Sequence, residues 1–564
     1  MITNFLKICF ISLFFLLHSF AHSKNNDSGN FNSENLSDYL SALISLNENK
    51  TSDALKFFDS SKDLKEFHSS YINKYLLALV LEGKVEKAIN EIKSTKDKNF
   101  TNFFEADLLI ALDNLKKKNF EESIFYLKKL NSYKEEGSLE YITSNILENH
   151  VRIFKGENIN LNNIKNFGNL TLINRAFLSC YLEDSNTKNY FQNIINSNDG
   201  NYSRYIFFYI NFLLKNNQKE SLEEVLEDVD EISSGLLISQ TKKWVEKKDF
   251  EKITEIFSCK NPDDLIAEFF FLISGLYSSD SNYIKSNFYL NLSYYFNPKF
   301  KFNRTILAEN YFNIGDFVKT EKILKEFKDT EEIYYWYKIK KKTLIISEKE
   351  SEKKSFEYIS KKFNQFEYPS LKSIFDMGNL SKSYGKYDLS IKYYSDLLSK
   401  VNQNSILYSD ILYRRGGSYE RSGDYKKADL DLLKSLELNP DDPYVLNYLA
   451  YSWLERNYKI DKAMEMLQNA YKQKENDPYI IDSIGWAYYL IGDFNKAEEL
   501  LKKAVQLMPS DPIVNDHYGD VLWQLDRKIQ ANYFWKYVLQ LKEIEPEMKI
   551  KINQKLILGL KKFS

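Results

Sequence analysis

The chain has 564 residues, and its 77 Lys and Arg nearly balance its 79 Asp and Glu, giving a formal net charge of -2 at pH 7. One hydrophobic core rarely grows to this length, so several domains or an array of repeats is expected. The 18 glycines and 9 prolines are too few for a many-stranded sandwich, and the balanced charge offers no basic field to nucleic-acid phosphates. Composition therefore favours an all-α repeat array and disfavours a nucleic-acid partner.

The amino-terminal residues have the three-part layout of a secretory signal peptide. Lys7 precedes the apolar run ICFISLFFLL, and small residues follow up to Ala21 and Ser23. The run is about half of the ~20 residues that span a bilayer, so cleavage after Ala21 or Ser23 is preferred to an uncleaved anchor. Residues 1–23 are predicted to be a signal peptide, which implies export to a periplasmic or envelope-associated location.

Residues 24–38 are rich in Asn and Ser and lack apolar periodicity, as is typical of a flexible leader. Helical periodicity begins near Tyr39, and divergent helical repeats are predicted over residues 39–369. The pattern is weakest over residues 130–250, where the number of repeats is left open.

No segment after the signal peptide is long and apolar enough to be predicted as a membrane span. The strongest run, from Leu265 to Tyr277, is short and carries Glu268. It is therefore predicted to be a buried helix.

Two cysteines, Cys180 and Cys259, remain after signal cleavage, and neither lies in a CxxC motif. Burial as separate small apolar side chains is the preferred interpretation. A disulfide between them stays open, because sequence alone does not settle connectivity.

The carboxy-terminal third of the chain repeats itself. Aligning the segment that starts at Asp477 with the one that starts at Asp511 superposes residues 34 positions apart, namely Pro478 with Pro512, Gly485 with Gly519, Ala497 with Ala531 and Leu507 with Leu541. Earlier copies of the pattern include Ala450 with Ala463 and Gly416 with Ala428. A period of this length indicates stacked units of two helices.

Small residues such as Gly485 and Ala497 let two antiparallel helices approach closely, and Pro509 ends the second helix. These residues resemble the tetratricopeptide-repeat signature. The resemblance implies an all-α, superhelical solenoid of antiparallel helix pairs, with well-formed repeats over residues 370–541. Residues 542–564 are predicted to form a lysine-bearing capping helix that starts at Pro546.

In the tetratricopeptide-repeat family the first helix of each pair lines the concave face through its second, fifth, ninth and twelfth positions. By register, the predicted partner-binding residues are Asn447, Tyr451, Asp482, Trp486, Tyr489, Asp516, Asp520 and Trp523, with Tyr444, Tyr479 and Ile513 at the second positions. Because this set is aromatic and acidic, the expected partner is a protein segment with basic and apolar side chains. The family's carboxylate clamp, with Lys and Asn at the fifth and ninth positions, is absent.

Patterns that would indicate catalysis are missing. The sequence has no GxSxG, SxxK or Walker motif, and His68, His150 and His517 lack neighbours at metal-ligand spacing. The string Gly416-Gly417-Ser418 fits the helical register, so a structural role is preferred to phosphate binding. The chain is predicted not to be an enzyme, with no catalytic residue, metal or cofactor.

The expected function is that of an exported tetratricopeptide-repeat scaffold or adaptor in the cell envelope of a Gram-negative bacterium. The layout resembles exported adaptors that recruit substrates to a periplasmic protease or an assembly complex. One alternative is a murein-acting enzyme with a helical superhelix, although the repeats leave no room for a carboxy-terminal catalytic domain. A helical-repeat RNA binder is the other, and it conflicts with the signal peptide and the charge. The partner, pathway and oligomeric state are left open.

Overall fold

The computed structural model describes residues 33–66, 68–197, 202–227, 229–541 and 544–560. These residues contain 30 α-helices, several short 3-10 turns and no strand, which confirms the all-α prediction. The predicted signal peptide and most of the predicted leader lie outside the described residues. The first helix begins at Ser33, earlier than the expected start near Tyr39.

The first of two compact units comprises residues 1–228 and 240–328. Most of its helices pack against the helix that follows them in the chain, except in the stretch from Leu222 to Pro262. In chain order they are α1 (Ser33–Asn47), α2 (Thr51–Ser60), α3 (Ser69–Leu81), α4 (Val85–Ser94), α5 (Phe104–Lys116), α6 (Phe120–Leu130), α7 (Leu139–Lys155), α8 (Asn169–Leu182), α9 (Thr187–Ile195), α10 (Arg204–Lys215), α11 (Leu222–Glu227), α12 (Leu236–Glu246), which begins in the second unit, α13 (Phe250–Ile256), α14 (Pro262–Ser279), α15 (Tyr283–Phe296), α16 (Arg304–Asn313) and α17 (Phe317–Leu324).

Helix α14 contains the strongest apolar run and is buried, as predicted. Its one acidic residue in that run, Glu268, accepts two hydrogen bonds of 2.8 Å from the guanidinium of Arg204. A buried carboxylate is tolerated because this fork-shaped donor pairs with both of its oxygens. In the part of the chain that the structure describes, no helix has the length and hydropathy needed to cross a membrane.

Cys180 and Cys259 form a disulfide, and their Cα atoms lie 5.9 Å apart. Both residues are buried, as expected, but the preferred interpretation of two separate thiols is wrong. The sequence could not decide this, because the pairing depends on α8 and the segment after α13 meeting in the fold. A bond that closes so long a loop typically stabilises a protein by about 2–4 kcal/mol.

The second unit comprises residues 229–239 and 329–564. Its helices, which form antiparallel pairs and then a single last helix, are α18 (Glu332–Lys349), α19 (Glu352–Phe363), α20 (Leu371–Ser383), α21 (Tyr387–Leu398), α22 (Ile406–Arg421), α23 (Tyr425–Leu438), α24 (Pro443–Glu455), α25 (Ile460–Gln473), α26 (Pro478–Leu490), α27 (Phe494–Leu507), α28 (Pro512–Gln524), α29 (Lys528–Val538) and α30 (Pro546–Leu558).

The first helices α24, α26 and α28 begin in the same way. Asp442, Asp477 and Asp511 each accept two backbone N–H hydrogen bonds of 2.9–3.2 Å in the first turn of their helix. A proline follows each aspartate, at a position where a helix has no use for an N–H donor. The repeated Asp-Pro pair therefore fixes where each first helix starts, and with it which side chains share a face.

The two helices of a pair meet at a residue without a side chain. A Cβ atom added to Gly485 would lie 2.8 Å from Leu501 Cγ, and one added to Gly519 would lie 2.5 Å from Trp535 Nε1. Trp535 is fully buried at this contact. These positions are the small-residue positions of the repeat pattern, so the close approach inferred from the sequence is present.

Gly519→Ala should lower the free energy of unfolding by about 2 kcal/mol, because overpacking against Trp535 exceeds the gain in helix propensity of about 1 kcal/mol. Gly275→Ala is the matched control, since Gly275 also lies inside a helix but an added Cβ would meet open space. The control should gain stability. Calorimetric unfolding of both variants checks this, and equal shifts would contradict the packing account.

Candidate protein-binding site

The first helices of the second unit carry a row of exposed apolar side chains. Tyr444, Tyr479 and Ile513 are 48%, 63% and 51% exposed, and they occupy the second position of α24, α26 and α28. Helix α26 packs against both α24 and α28, so equivalent positions on the three helices are neighbours. We call these three residues the exposed row. Large apolar side chains repeated at one position are typical of an interaction surface.

Trp486 lies beside the exposed row in the middle of a stack of rings. Its ring is parallel to Tyr489 at 4.5 Å and to His517 at 4.0 Å, and its Nε1 donates a hydrogen bond of 2.8 Å to exposed Glu455. Burial raises the pKa of Tyr489 to about 12. Because Trp486 is half-buried and joins three successive first helices, it holds this surface together as well as forming part of it.

Asp482 is buried and pairs with His517, whose Nδ1 lies 3.0 Å from a carboxylate oxygen. Burial disfavours the charged imidazole, but the attraction of Asp482 outweighs it and raises the pKa of His517. Asp482 thus has a partner within the chain. This corrects the expectation that it projects into the groove to meet a basic side chain of a ligand.

Asp516 and Asp520 are also paired within the chain. Lys555 of the last helix, α30, donates hydrogen bonds of 2.6 Å to Asp516 and of 2.7 and 2.8 Å to Asp520. Burial and the neighbouring Asp516 raise the pKa of Asp520 to about 6, although Lys555 opposes this shift. The basic partner expected from a ligand is therefore supplied by the chain itself, which is a second correction.

Trp523 is covered by the residues that end and follow α30. Its Nε1 donates a hydrogen bond of 3.2 Å to the carbonyl oxygen of Leu560, and Gly559 lies so close to the indole that no side chain would fit there. Ile552 of α30 is fully buried. Helix α30 begins at Pro546 and packs against α29.

Sequence reasoning missed Lys555 as a functional residue, although two signals for it were present. The capping helix was recognised as rich in lysine, and the concave positions of the last repeat were recognised as acidic. What could not be read from the sequence is which of the lysines would face which aspartate, because that depends on the angle at which α30 packs.

Asn447 and Tyr451 lie on α24 and are half-buried. Burial raises the pKa of Tyr451. The Oδ1 atom of Asn447 is buried and accepts no hydrogen bond from the described residues, so a buried acceptor remains on this surface. Asn447, Tyr451 and Trp486 lie on α24 and α26, which also carry Tyr444 and Tyr479 of the exposed row. Partner binding by the predicted set stays a prediction.

Two sequence interpretations concern chemistry. Gly416 packs against α23, where an added Cβ would lie 2.9 Å from Leu432 Cγ, so the glycine string has the structural role expected of it. His150 is buried, and burial lowers its pKa to about 4. The described residues contain no group of three or more His, Cys, Asp or Glu placed to hold a metal ion.

A sequence profile described as tetratricopeptide repeat matches residues 308–543. This match supports the resemblance to tetratricopeptide repeats that the sequence pattern indicated. The match starts well before residue 370, so it includes repeats that looked divergent in the sequence. Such repeats form scaffolds for protein–protein interaction.

The TPR repeat-containing protein PA4667 of Pseudomonas aeruginosa is 34% identical over 88 residues, which are 16% of this chain and 15% of that protein. MamA (residues 41 to the end) from Desulfovibrio magneticus RS-1 is 20% identical, with 30% of this chain and 94% of that chain covered and a TM-score of 0.26. TTC0263, a thermophilic TPR protein of Thermus thermophilus, is 18% identical, with 34% of this chain and 100% of that chain covered and a TM-score of 0.30.

Lys555→Met should release α30 from the tetratricopeptide repeats. The substitution leaves Asp516 and Asp520 without their cation, and breaking a buried ion pair typically costs about 3–5 kcal/mol. Amide hydrogen exchange over residues 546–558 should therefore become fast. Lys551→Met is the matched control, because Lys551 lies exposed on the same helix. Equal protection of α30 in both variants would contradict a role for Lys555 in holding the helix.

Proposed function

We propose that this protein is an exported tetratricopeptide-repeat adaptor that binds an extended or helical segment of another protein across α24, α26 and α28. The observation that carries this proposal is the exposed row. Tyr444, Tyr479 and Ile513 are each about half exposed or more, at one position of three neighbouring helices. A partner that covered them would gain apolar burial at evenly spaced anchor points.

The chemistry of the expected partner follows from the side chains that remain exposed on this surface. Aromatic anchors surrounded by polar groups are typical of the residues that dominate binding energy at protein interfaces. Among the acidic residues near the row, Glu455 is exposed, whereas Asp482, Asp516 and Asp520 have partners in the chain. The partner segment is thus expected to be mainly apolar, with a basic side chain opposite Glu455.

Export is supported by two independent observations. The amino-terminal sequence has the layout of a signal peptide, and Cys180 is bonded to Cys259. Structural disulfides persist in oxidising compartments and are rare in the bacterial cytoplasm. A periplasmic or envelope-associated location, and a role in bringing substrates to a protease or an assembly complex, are parts of the proposal.

The proposal also holds that the protein is a scaffold without catalytic activity. Two observations support this: the chain has a repeat architecture, and several of its acidic and histidine side chains form contacts between helices. Asp482, Asp516, Asp520 and His517 are engaged in contacts that join helices to one another. The near-zero net charge favours a protein over a nucleic acid as the ligand.

A double variant tests the binding surface. Tyr444→Ser combined with Tyr479→Ser should weaken binding of the partner by at least about tenfold, since truncating a central aromatic anchor typically costs about 2 kcal/mol. The partner is first identified by crosslinking and affinity purification from the envelope fraction, and binding is then measured by calorimetry. Stability should not change, because both side chains are exposed.

Tyr533→Ser is the matched control, as Tyr533 is 65% exposed but lies on α29, a second helix. It should bind like wild type. If the double variant and the control bind the partner equally well, the exposed row is not the binding surface and the proposal fails.

The location has its own test. Protein recovered from the envelope fraction should begin at His22 or Lys24, and neither Cys180 nor Cys259 should react with an alkylating reagent until a reductant is added. Removing both cysteines should lower the free energy of unfolding by about 2–5 kcal/mol. An intact Met1, or two thiols that react freely in the envelope protein, would count against export.

A further inference from the structure

A lysine at the other end of the repeat surface has no partner of opposite charge among the described residues. Lys382 occupies the twelfth position of α20, and its side chain crosses α22 to reach α24, where Nζ lies 5.6 Å from the centre of the Tyr448 ring. No carboxylate in the described part of the chain forms an ion pair with it. An ammonium group that is withdrawn from water without a counter-ion is costly for a protein to maintain.

The chain makes room for this ammonium with a glycine. A Cβ atom added to Gly417 of α22 would lie 2.5 Å from Lys382 Nζ and 3.3 Å from Tyr448 Oη. Gly417 is buried at the ninth position of its repeat, which is the twelfth residue of α22, on the face that carries the predicted binding residues in the following repeats. The missing side chain therefore leaves space for the lysine nitrogen on this face of the helix.

The charges around Lys382 are mostly positive. Burial, followed by Arg414 and Arg421 of α22, lowers the pKa of Lys382 to about 8, and Glu420 opposes this shift. Glu420 accepts a hydrogen bond of 3.0 Å from Tyr448 Oη.

The two arginines differ in how far they are already engaged. Arg414 donates hydrogen bonds of 2.9 Å to Asp410 and of 3.2 Å to Asn379, and its guanidinium lies 4.8 Å from the centre of the Phe375 ring. Arg421 is exposed at the end of α22, and although burial of its guanidinium opposes the charge, the Tyr387 hydroxyl outweighs this and raises the pKa of Arg421. Since a guanidinium has five N–H donors, one hydroxyl leaves several of them for a ligand.

We propose that Lys382, with Arg421 beside it, binds a carboxylate of the partner segment. The inference rests on the proposed function, because it assigns the ligand chemistry of one end of the same surface. A carboxylate would supply the counter-ion that the described residues do not provide, and it would accept hydrogen bonds from both cationic groups. Tyr448 and Tyr413, whose rings are 5.8 Å apart, would contact the apolar part of the same segment.

The exposed row and the Lys382 site together form a surface whose charge changes from one end to the other. Its α20–α22 end is cationic, its middle is aromatic, and Glu455 is the acidic group between α24 and α26. A segment with an acidic residue at one end and a basic residue further along fits this order. Bound in the opposite direction, the same segment would place like charges together, which is a known source of specificity.

The test uses three fluorescein-labelled peptides and the full mature chain. The first alternates glutamate with leucine and tyrosine and has an amidated carboxy terminus. The second has glutamine at each glutamate position, and the third is the glutamine peptide with a free terminal carboxylate. Anisotropy should show binding of the first peptide and an affinity at least about tenfold lower for the second, since a charge-assisted pair is lost. Equal binding of the first and third would assign the pocket to terminal carboxylates.

Lys382→Met should weaken binding of the glutamate peptide at least about tenfold, the size expected when one partner of a desolvated charge pair is removed. Lys392→Met is the matched control, because it removes the same charge from an exposed site on α21. Gly417→Ala should also weaken binding, since the new methyl group displaces the ammonium without disturbing the helix. A labelled Lys382 should show a higher pKa in the complex than in the free protein.

The inference is overturned if the glutamate peptide does not bind, if the glutamate and glutamine peptides bind alike, or if Lys382→Met and Lys392→Met have equal effects. Displacement of the peptide by inorganic phosphate at lower concentration than by acetate would also overturn it, by assigning the pocket to phosphate. These failures would leave the proposed adaptor function intact, because the exposed row is tested separately with the natural partner.

Discussion

The second unit depends on the close approach of two helices at a position where there is almost no side chain. Gly485 lies against Leu501, and Gly519 lies against Trp535. This contact sets the distance between the helices of a pair, and the Asp-Pro start of the next first helix sets its register. The register of α24, α26 and α28 places the exposed row, since a rotation by one residue would move these side chains to another face of the helix.

Those constraints also explain what could be predicted from the sequence. A period of 34 residues, small residues at the helix contact and prolines at the helix starts are local patterns, so the all-α repeat fold and the residues of each first helix could be identified. Exposure of Tyr444 and Tyr479 followed from the same register. The contacts that were missed join parts of the chain that are far apart in sequence, or that depend on a packing angle.

The acidic residues show most clearly which contacts could not be predicted from the sequence. The register placed Asp516 and Asp520 on the correct face, but the sequence did not reveal that Lys555 would reach them from the last helix. In the same way, Cys180 and Cys259 gave no sign of pairing, because nothing in their neighbourhoods brings α8 near the segment after α13. Lys382 was missed for a different reason. Its position is predictable, but its importance lies in the absence of a counter-ion among the described residues.

The proposed binding surface has two ends that differ. At the carboxy-terminal end, α30 pairs with Asp516 and Asp520 and covers Trp523, so those two carboxylates are already satisfied before a ligand arrives. Toward α20, Lys382 forms no ion pair with a carboxylate in the described part of the chain, and the exposed row lies between the two ends. The carboxylates at one end are paired within the chain, whereas no described carboxylate pairs with the Lys382 ammonium at the other end. Such a surface favours ligands that carry an acidic group at the Lys382 end.

We propose that partners bind across the first helices of the tetratricopeptide repeats. Site-specific photocrosslinking in the cell envelope tests it most directly, with a benzophenone amino acid introduced in place of Tyr479 or Tyr533. We expect a discrete crosslinked partner from position 479, on the exposed row, and none from position 533, on α29. Crosslinking from position 533 with none from position 479 would contradict it.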